Sequence, residues 1–335
     1  MMETNEGNLP VCHLEVTPEE SGMRLERFIQ RRMKDLPEVA IFRWIRTGQV
    51  RVEGGRCRVG RRVEAGEKVR IPPHRPVVEA EGGQCVPRRV VEGLRERILW
   101  RDEWLLVMDK PEGMVVHSGS NQSWGLIDAL KEYWRGQGLP GLPELCHRLD
   151  RETSGCLLLG VDRRAVAGLV AAFKQGRVAK RYLTLVQGQP PERGTISAPL
   201  VKGHLQGGER MVVVEGQGGQ PALTRYRVLH RFPEAALLLV EPATGRTHQI
   251  RAHCQWAGHV LAGDPKYGEK TFNQRLRELG LRRLFLHAWE VTFSHPLTNR
   301  SVVVRAPLPA DLQQFLGKLD AAFHWEEGID ISGNI

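Results

Sequence analysis

The sequence predicts an α+β chain of two basic modules, on three observations. Residues 23–46 carry apolar positions at helical spacing and are followed by short alternating strands. Residues 74–97 are rich in Pro, Gly and charge and show little periodicity. Beyond residue 98, short strands and helices mix, and residues 194–241 form a run of antiparallel strand patterns. A mixed, mainly antiparallel sheet with flanking helices is therefore expected in the larger module.

Composition narrows the function classes. The chain has 335 residues, 41% hydrophobic and 26% charged, with net charge +9. That length suits two domains. No window approaches the roughly 18 consecutive apolar residues of a membrane span. Glu3 and Glu6 with no apolar run argue against a signal peptide. Cys12, Cys57, Cys85, Cys146, Cys156 and Cys254 form no CxxC, so neither a zinc site nor a disulfide framework is expected. A reducing cytoplasm is the simplest setting. Residues 23–73 carry a net +8 and residues 98–319 a net +9, while residues 1–22 carry −5 and residues 320–335 carry −4. Two basic bodies with acidic ends fit a polyanionic partner.

Residues 1–22 read as a lead-in, with a possible strand over Val11–Val16. The first module follows, over 23–73. Leu25, Phe28, Ile29 and Met33 recur at helical spacing, with Arg24, Arg27, Arg31, Arg32 and Lys34 over much of the remaining surface. A second helix over Val39–Arg46 stops at Gly48. Strands GQVRVEG and EKVRIP follow, with turns at Gly54-Gly55 and Ala65-Gly66. The segments RLERFI, WIRTGQVRVEGG and VEAGEKVRI together resemble the S4 RNA-binding domain. The resemblance implies that the helix pair meets RNA phosphates, through Arg24, Arg27, Arg31, Arg43 and Arg46. Arginine suits that task because its planar fork grips phosphate oxygens in pairs. Residues 74–97 are expected to be a flexible linker.

The second module spans 98–319, with an acidic tail over 320–335. Two strands flank the Asp102-Glu103 turn, and KPEGMVVH ends them at Lys110-Pro111. A helix is expected over Gly125–Trp134. The stretch His147–Gly155, HRLDRETSG, sets Asp150 between Arg148 and Arg151, ahead of the apolar strand Cys156–Val161. A carboxylate is thus held on a tight loop at a strand edge, inside a positive local field that favours its ionised form and attracts anionic substrates. Asp162 caps a helix over Arg163–Lys174. VAKRYLTLVQG then places Lys180, Arg181 and Tyr182 on a strand, with the two cations as candidate phosphate contacts. After the antiparallel run, TGRTHQIRAHCQWAGH suggests a helix over Arg246–Trp256. His248 and His253 stand at i and i+5, off a common helical face, so no metal site is expected. GDPKYG and the segment over 282–299 follow, and a last helix near Pro309–Leu319 completes the module.

HRLDRETSG, KPEGMVVH, GRTHQIRAH and GDPKYG resemble the motifs of the RluA-type RNA pseudouridine synthases, and the likeness covers roughly residues 23–310. It implies an α+β fold, a small S4-like domain joined to a pseudouridine synthase catalytic domain. It implies Asp150 as the catalytic nucleophile and Tyr182 as the ring that stacks on the target base. It implies Arg251 as the partner that forms an ion pair with Asp150. It implies that Arg148 contacts the RNA backbone or fills the space left by the base. KPEG is expected to support the floor of the site, and His147 and Arg151 to shape the loop. Isomerising uridine oxidises nothing and releases no group, so no cofactor is expected. The resemblance implies RNA as partner, most of all large-subunit ribosomal RNA; no obligate protein partner is evident in the sequence, and a monomer is expected. A non-catalytic ribosome-assembly factor, a synthase acting on transfer RNA, and a hydrolase using an aspartate nucleophile are the rival readings.

Overall fold

The computed structural model describes residues 9–33, 36, 38–74, 86–117, 124–206, 209–214 and 218–325. The chain divides into two compact units, residues 1–85 and 86–335.

The first unit contains β1 (Cys12–Glu15), α1 (Leu25–Arg32), α2 (Glu38–Arg46), β2 (Arg51–Val52), β3 (Gly55–Arg56) and β4 (Lys68–Ile71). The strands form one antiparallel sheet in the order β1-β4-β2-β3. Leu25, Phe28 and Ile29 face a core shared with Ile41, Ile45, Val52 and Val69. Burying one face of α1 leaves Arg24, Arg27 and Arg31 exposed, and Arg43 and Arg46 are exposed on α2. Lys34 lies outside the described residues. The expected lead-in is shorter than residues 1–22, because β1 pairs with β4 from Cys12 and its neighbour Val16 is buried.

The second unit contains α3 (Arg88–Glu92), β5 (Ile98–Arg101), β6 (Leu105–Lys110), α4 (Leu126–Gly136), β7 (Glu144–Leu145), β8 (Ser154–Gly160), α5 (Arg163–Lys174) and β9 (Ala179–Gln187). It continues with β10 (Arg193–Ser197), β11 (Leu200–Gln206), β12 (Glu209–Val214), β13 (Leu223–Arg231), β14 (Ala235–Pro242) and α6 (Gln249–Trp256). It ends with α7 (Lys270–Glu278), β15 (Leu286–Ser294), β16 (Ser301–Arg305) and α8 (Ala310–Leu319). A ten-stranded sheet runs β10-β13-β14-β9-β15-β8-β6-β5, with β16 on β15 and β7 on β8. β11 and β12 form a separate hairpin. The pairing of β8 with β15 is parallel, while β9–β15 and β6–β8 are antiparallel.

Both faces of this sheet are covered, which is why β8 reads as an unbroken apolar run. Leu157 and Leu159 pack with Leu126, Leu130 and Trp134 of α4, while Leu158 packs with Ala165 and Leu169 of α5. Successive strand residues point to opposite faces. Ile250 and Cys254 of α6 pack on Leu238 and Val240 of β14. Among the described residues, no helix is long and apolar enough to cross a membrane.

Two expected boundaries shift. Of the linker, 75–85 lie outside the described residues, but Val86 and Leu94 are buried in the α4 core and Arg88–Glu92 is helical. The expected tail from Asp320 still carries structure. Phe323 is 8% exposed and packs against His230 and Phe232, and Asp320 Oδ2 lies 3.5 Å from His230 Nε2. Residues 326–335 lie outside the described residues.

Candidate active site

The loop carrying Asp150 is tied down at both ends. At its start, His147 Nε2 accepts the Leu158 N–H at 2.9 Å, and its ring stacks on Phe173 at 4.6 Å. Burial pushes His147 down to about 3, which suits a nitrogen used as an acceptor. Beneath the loop, Lys110 Nζ donates to the carbonyls of Pro111 and Met114 at 2.9 Å and of Arg151 at 3.0 Å. Burial lowers Lys110 to about 7, yet three carbonyl acceptors call for the three N–H groups that only the ammonium form has. Arg151 Nε donates to the Gly113 carbonyl at 3.1 Å, and Gly113 N–H donates to the Arg151 carbonyl at 2.9 Å. The KPEG turn thus supports the loop through the Lys110 side chain and the Gly113 backbone.

Sheet register brings the tyrosine to the aspartate. Tyr182 on β9 stands opposite Ala288 on β15, and Ala288 stands beside Gly155 on β8. Gly155 has φ +105°, and a Cβ there would collide with the Ala288 backbone. Asp150 lies five residues before Gly155, so its loop ends two strands from Tyr182. The Tyr182 hydroxyl has a raised pKa, chiefly from burial and then from the Asp150 charge. Lys180, two residues earlier, faces the same way. Its Nζ donates to the Thr244 carbonyl at 3.3 Å, and burial lowers its pKa.

Arg181 points to the opposite side. It lies 3.7 Å from Glu241 and 3.4 Å from Glu290, and does not line the cleft with Lys180 and Tyr182. Strand alternation turned this candidate phosphate contact into a structural ion pair.

The GRTHQIRAH segment completes the site. The helix begins at Gln249, later than expected, because His248 takes a left-handed conformation with φ +52°. Gln249 fastens the entry: its Oε1 accepts from Thr244 Oγ1 at 2.6 Å and from the Arg246 N–H at 3.1 Å. Arg251 is fully buried. Its Nε and Nη2 each donate to Asp264 at 2.7 Å, while its Nη1 lies 3.8 Å from Asp150 and 3.7 Å from Glu152. Burial works against its charge, but the Asp264 hydrogen bonds and the nearby carboxylates outweigh that and raise its pKa. Asp150, the expected partner of Arg251, is thus the most distant of its three carboxylate neighbours. His248 Nε2 is also 3.8 Å from Asp150 Oδ2. The positive charge beside Asp150 is that of Arg251, whereas Arg151 is turned toward Gly113.

These residues line one cleft of about 440 Å³, within the size of ordinary small-molecule sites. Asp150, Tyr182, Arg251 and His248 share its wall with Lys180 and the exposed Arg148. It can admit one flat, polar ring between an aromatic face and a carboxylate. The exposed Arg246 also lines it. Sequence reasoning gave no role to His248, Asp264 or Tyr267. The GDPKYG match marked the last two without showing what they touch.

A model of the RNA pseudouridylate synthase family matches residues 104–256. The chain is 40% identical over 313 residues to the ribosomal large subunit pseudouridine synthase C of Pasteurella multocida, spanning 93% of this chain and 95% of that one. The chain belongs to the RNA pseudouridylate synthase family. The synthase is also 40% identical over 307 residues to the ribosomal large subunit pseudouridine synthase C of Escherichia coli K12, covering 91% of this chain and 95% of that one. Two solved human structures are similar to it. The human RNA pseudouridylate synthase domain containing 4 aligns with a TM-score of 0.58 at 26% identity, over 69% of this chain and 95% of that one. The human RNA pseudouridylate synthase domain containing 1 gives 0.53 at 31%, over 67% and 86%. The synthase is thus an isomerase acting on RNA, built on an α+β fold with a large mixed sheet.

Proposed function

We propose that this synthase converts specific uridines of large-subunit ribosomal RNA to pseudouridine, as a monomer in the cytoplasm, with Asp150 as nucleophile. The observation that carries the reading is the meeting of Asp150, Tyr182 and Arg251 in one cleft. The names of the two bacterial relatives support the choice of RNA.

The reaction breaks the C1′–N1 bond of uridine, turns the uracil, and rejoins it through C5. A carboxylate must reach the sugar or the base, a base must remove the C5 proton, and the pocket must retain the detached ring. Asp150 supplies the carboxylate, acting at the ribose or at C6 of the ring. Tyr182 offers an aromatic face to the extruded base. Arg251, held by Asp264, keeps a fixed positive charge beside Asp150. Arg148 and Lys180 meet the RNA strand near the target. Unstacking the uridine costs a few kcal/mol. The S4-like first unit offsets that cost through phosphate contacts from Arg24, Arg27, Arg31, Arg43 and Arg46.

Asp150→Asn tests the assignment. Tritium release from C5-labelled uridine RNA should vanish while RNA affinity stays within a few fold; turnover by the variant would falsify the role of Asp150. Carbodiimide mapping of ribosomal and transfer RNA from a deletion strain identifies the substrate. Missing pseudouridines in transfer RNA alone would overturn the ribosomal assignment.

A further inference from the structure

Arg251 supplies charge to Asp150 but does not set which way its carboxylate turns. Two of its nitrogens are committed to Asp264, and its buried Nη1 has no hydrogen-bond partner among the described residues. That Nη1 stands about equally far from Asp150 and Glu152, at 3.8 and 3.7 Å.

A second group faces the same Asp150 oxygen. His248 Nε2 is 3.8 Å from Oδ2. Which ring nitrogen carries hydrogen follows from the other side of the imidazole. Tyr267 Oη lies 2.8 Å from the Val212 backbone nitrogen and 2.9 Å from His248 Nδ1. A backbone N–H can only donate, so Oη accepts from Val212. His248 Nδ1 is the hydroxyl's other polar contact among the described residues, and directing the tyrosine hydrogen to it makes Nδ1 the acceptor. The neutral ring therefore carries its hydrogen on Nε2, toward Asp150. Burial lowers the His248 pKa, in keeping with a neutral ring.

The support around this chain is rigid. Tyr267 is 1% exposed. Its ring meets His248 edge-on at 5.6 Å, and the Arg251 guanidinium lies 5.1 Å from its centre. One buried tyrosine thus braces both groups that face Asp150. His248 itself holds φ +52°, a conformation that a non-glycine residue adopts only where its surroundings enforce it.

We propose that His248 is a positioning residue: Tyr267 fixes its tautomer, and its Nε2–H orients the Asp150 carboxylate for attack. The proposal rests on the reading of Asp150 as nucleophile. The 3.8 Å separation is longer than a hydrogen bond, and catalytic contacts of this kind often reach hydrogen-bond length only in the substrate complex.

Four variants test it, with large-subunit ribosomal RNA transcribed with C5-tritiated uridine as substrate and folding checked by thermal melting. His248→Asn keeps a side chain that tolerates the left-handed backbone but withdraws the Nε2 donor. It should lower kcat by about 10- to 100-fold with KM within about twofold, as expected for a misplaced nucleophile. His248→Gln, whose amide nitrogen reaches the Nε2 position, should recover most of that loss. Tyr267→Phe keeps the ring and removes the hydroxyl. It should lower kcat, and combining it with His248→Asn should cost little more than His248→Asn alone, since both act through one hydrogen bond. A wild-type kcat in His248→Asn overturns the proposal. So do equal losses in the Asn and Gln variants, or full additivity with Tyr267→Phe. Asp150→Asn, run in parallel, separates the two ideas. If it turns over, the nucleophile assignment fails; if it is inactive while the His248 variants are unimpaired, only the positioning role fails.

Discussion

Arg251 binds Asp264 through two hydrogen bonds of 2.7 Å, and reaches Asp150 only at 3.8 Å. A fully buried guanidinium needs a partner that does not take part in the reaction. With Asp264 in that role, Arg251 would stay in place through the charge change on Asp150 that the proposed mechanism requires.

Removing either member of this buried pair should therefore cost stability as well as activity. Arg251→Met leaves Asp264 buried without its counterion, and Asp264→Asn does the reverse. Each should lose about 3–5 kcal/mol of folding free energy, measured by denaturant titration. Turnover per folded molecule should still fall in Arg251→Met, with RNA affinity less affected. A loss confined to affinity would rule out the proposed role of Arg251 in holding charge beside Asp150.

Tyr182 should separate ring from hydroxyl. Tyr182→Phe retains the aromatic face and should bind substrate RNA within a few fold of the parent. Tyr182→Ala removes the stacking surface and should weaken the productive complex by about 1–3 kcal/mol. Single-turnover rates against RNA concentration distinguish the two, and equal behaviour of Phe and Ala would argue against stacking.

Acid should destabilise the second unit through two desolvated imidazoles, His287 fully buried and His147 half-buried. His147 is held down to about 3 and His287 to about 4, both chiefly by burial. The unfolded chain takes up protons at these residues near pH 6.5, while the folded chain does not. Between about pH 6.5 and those lower values the unfolded state binds more protons, so stability falls as pH falls. The slope approaches roughly 1.4 kcal/mol per pH unit for each group. Melting temperature recorded from pH 7 to 4 should drop, and His147→Gln should flatten the dependence.

The first unit should act through charge. Replacing Arg24, Arg27 and Arg31 together by Gln removes three exposed cations from one helix face. RNA affinity should fall, and the slope of log affinity against log salt should become shallower by about 0.7–0.9 for each phosphate that is no longer neutralised. An unchanged slope in filter-binding titrations would mean that this face does not meet phosphate.

Much of the architecture was legible because it rests on local pattern. The spacing of Leu25, Phe28 and Ile29 marks α1 and its buried face. Asp162 marks the start of α5, where its Oδ1 accepts the Arg164 and Ala165 N–H groups. The helix over Arg88–Glu92 was hidden, since a short helix with no buried residue leaves no periodic apolar signal. The packing of Phe323 was hidden for a different reason: its neighbours, His230 and Phe232, lie far back along the chain.

By itself the sequence determined which chemistry the chain carries: an aspartate, a tyrosine and an arginine in separate motifs, on a basic chain. Only the tertiary structure decided which partner each side chain takes. Arg181 and Tyr182 are neighbours in sequence, yet strand alternation sends one to Glu241 and Glu290 and the other to the cleft. Asp264 takes the two strongest contacts of Arg251, and Tyr267 turns His248 toward Asp150. Those choices depend on sheet register and on which polar atoms burial leaves to satisfy one another, and neither is written in local sequence pattern.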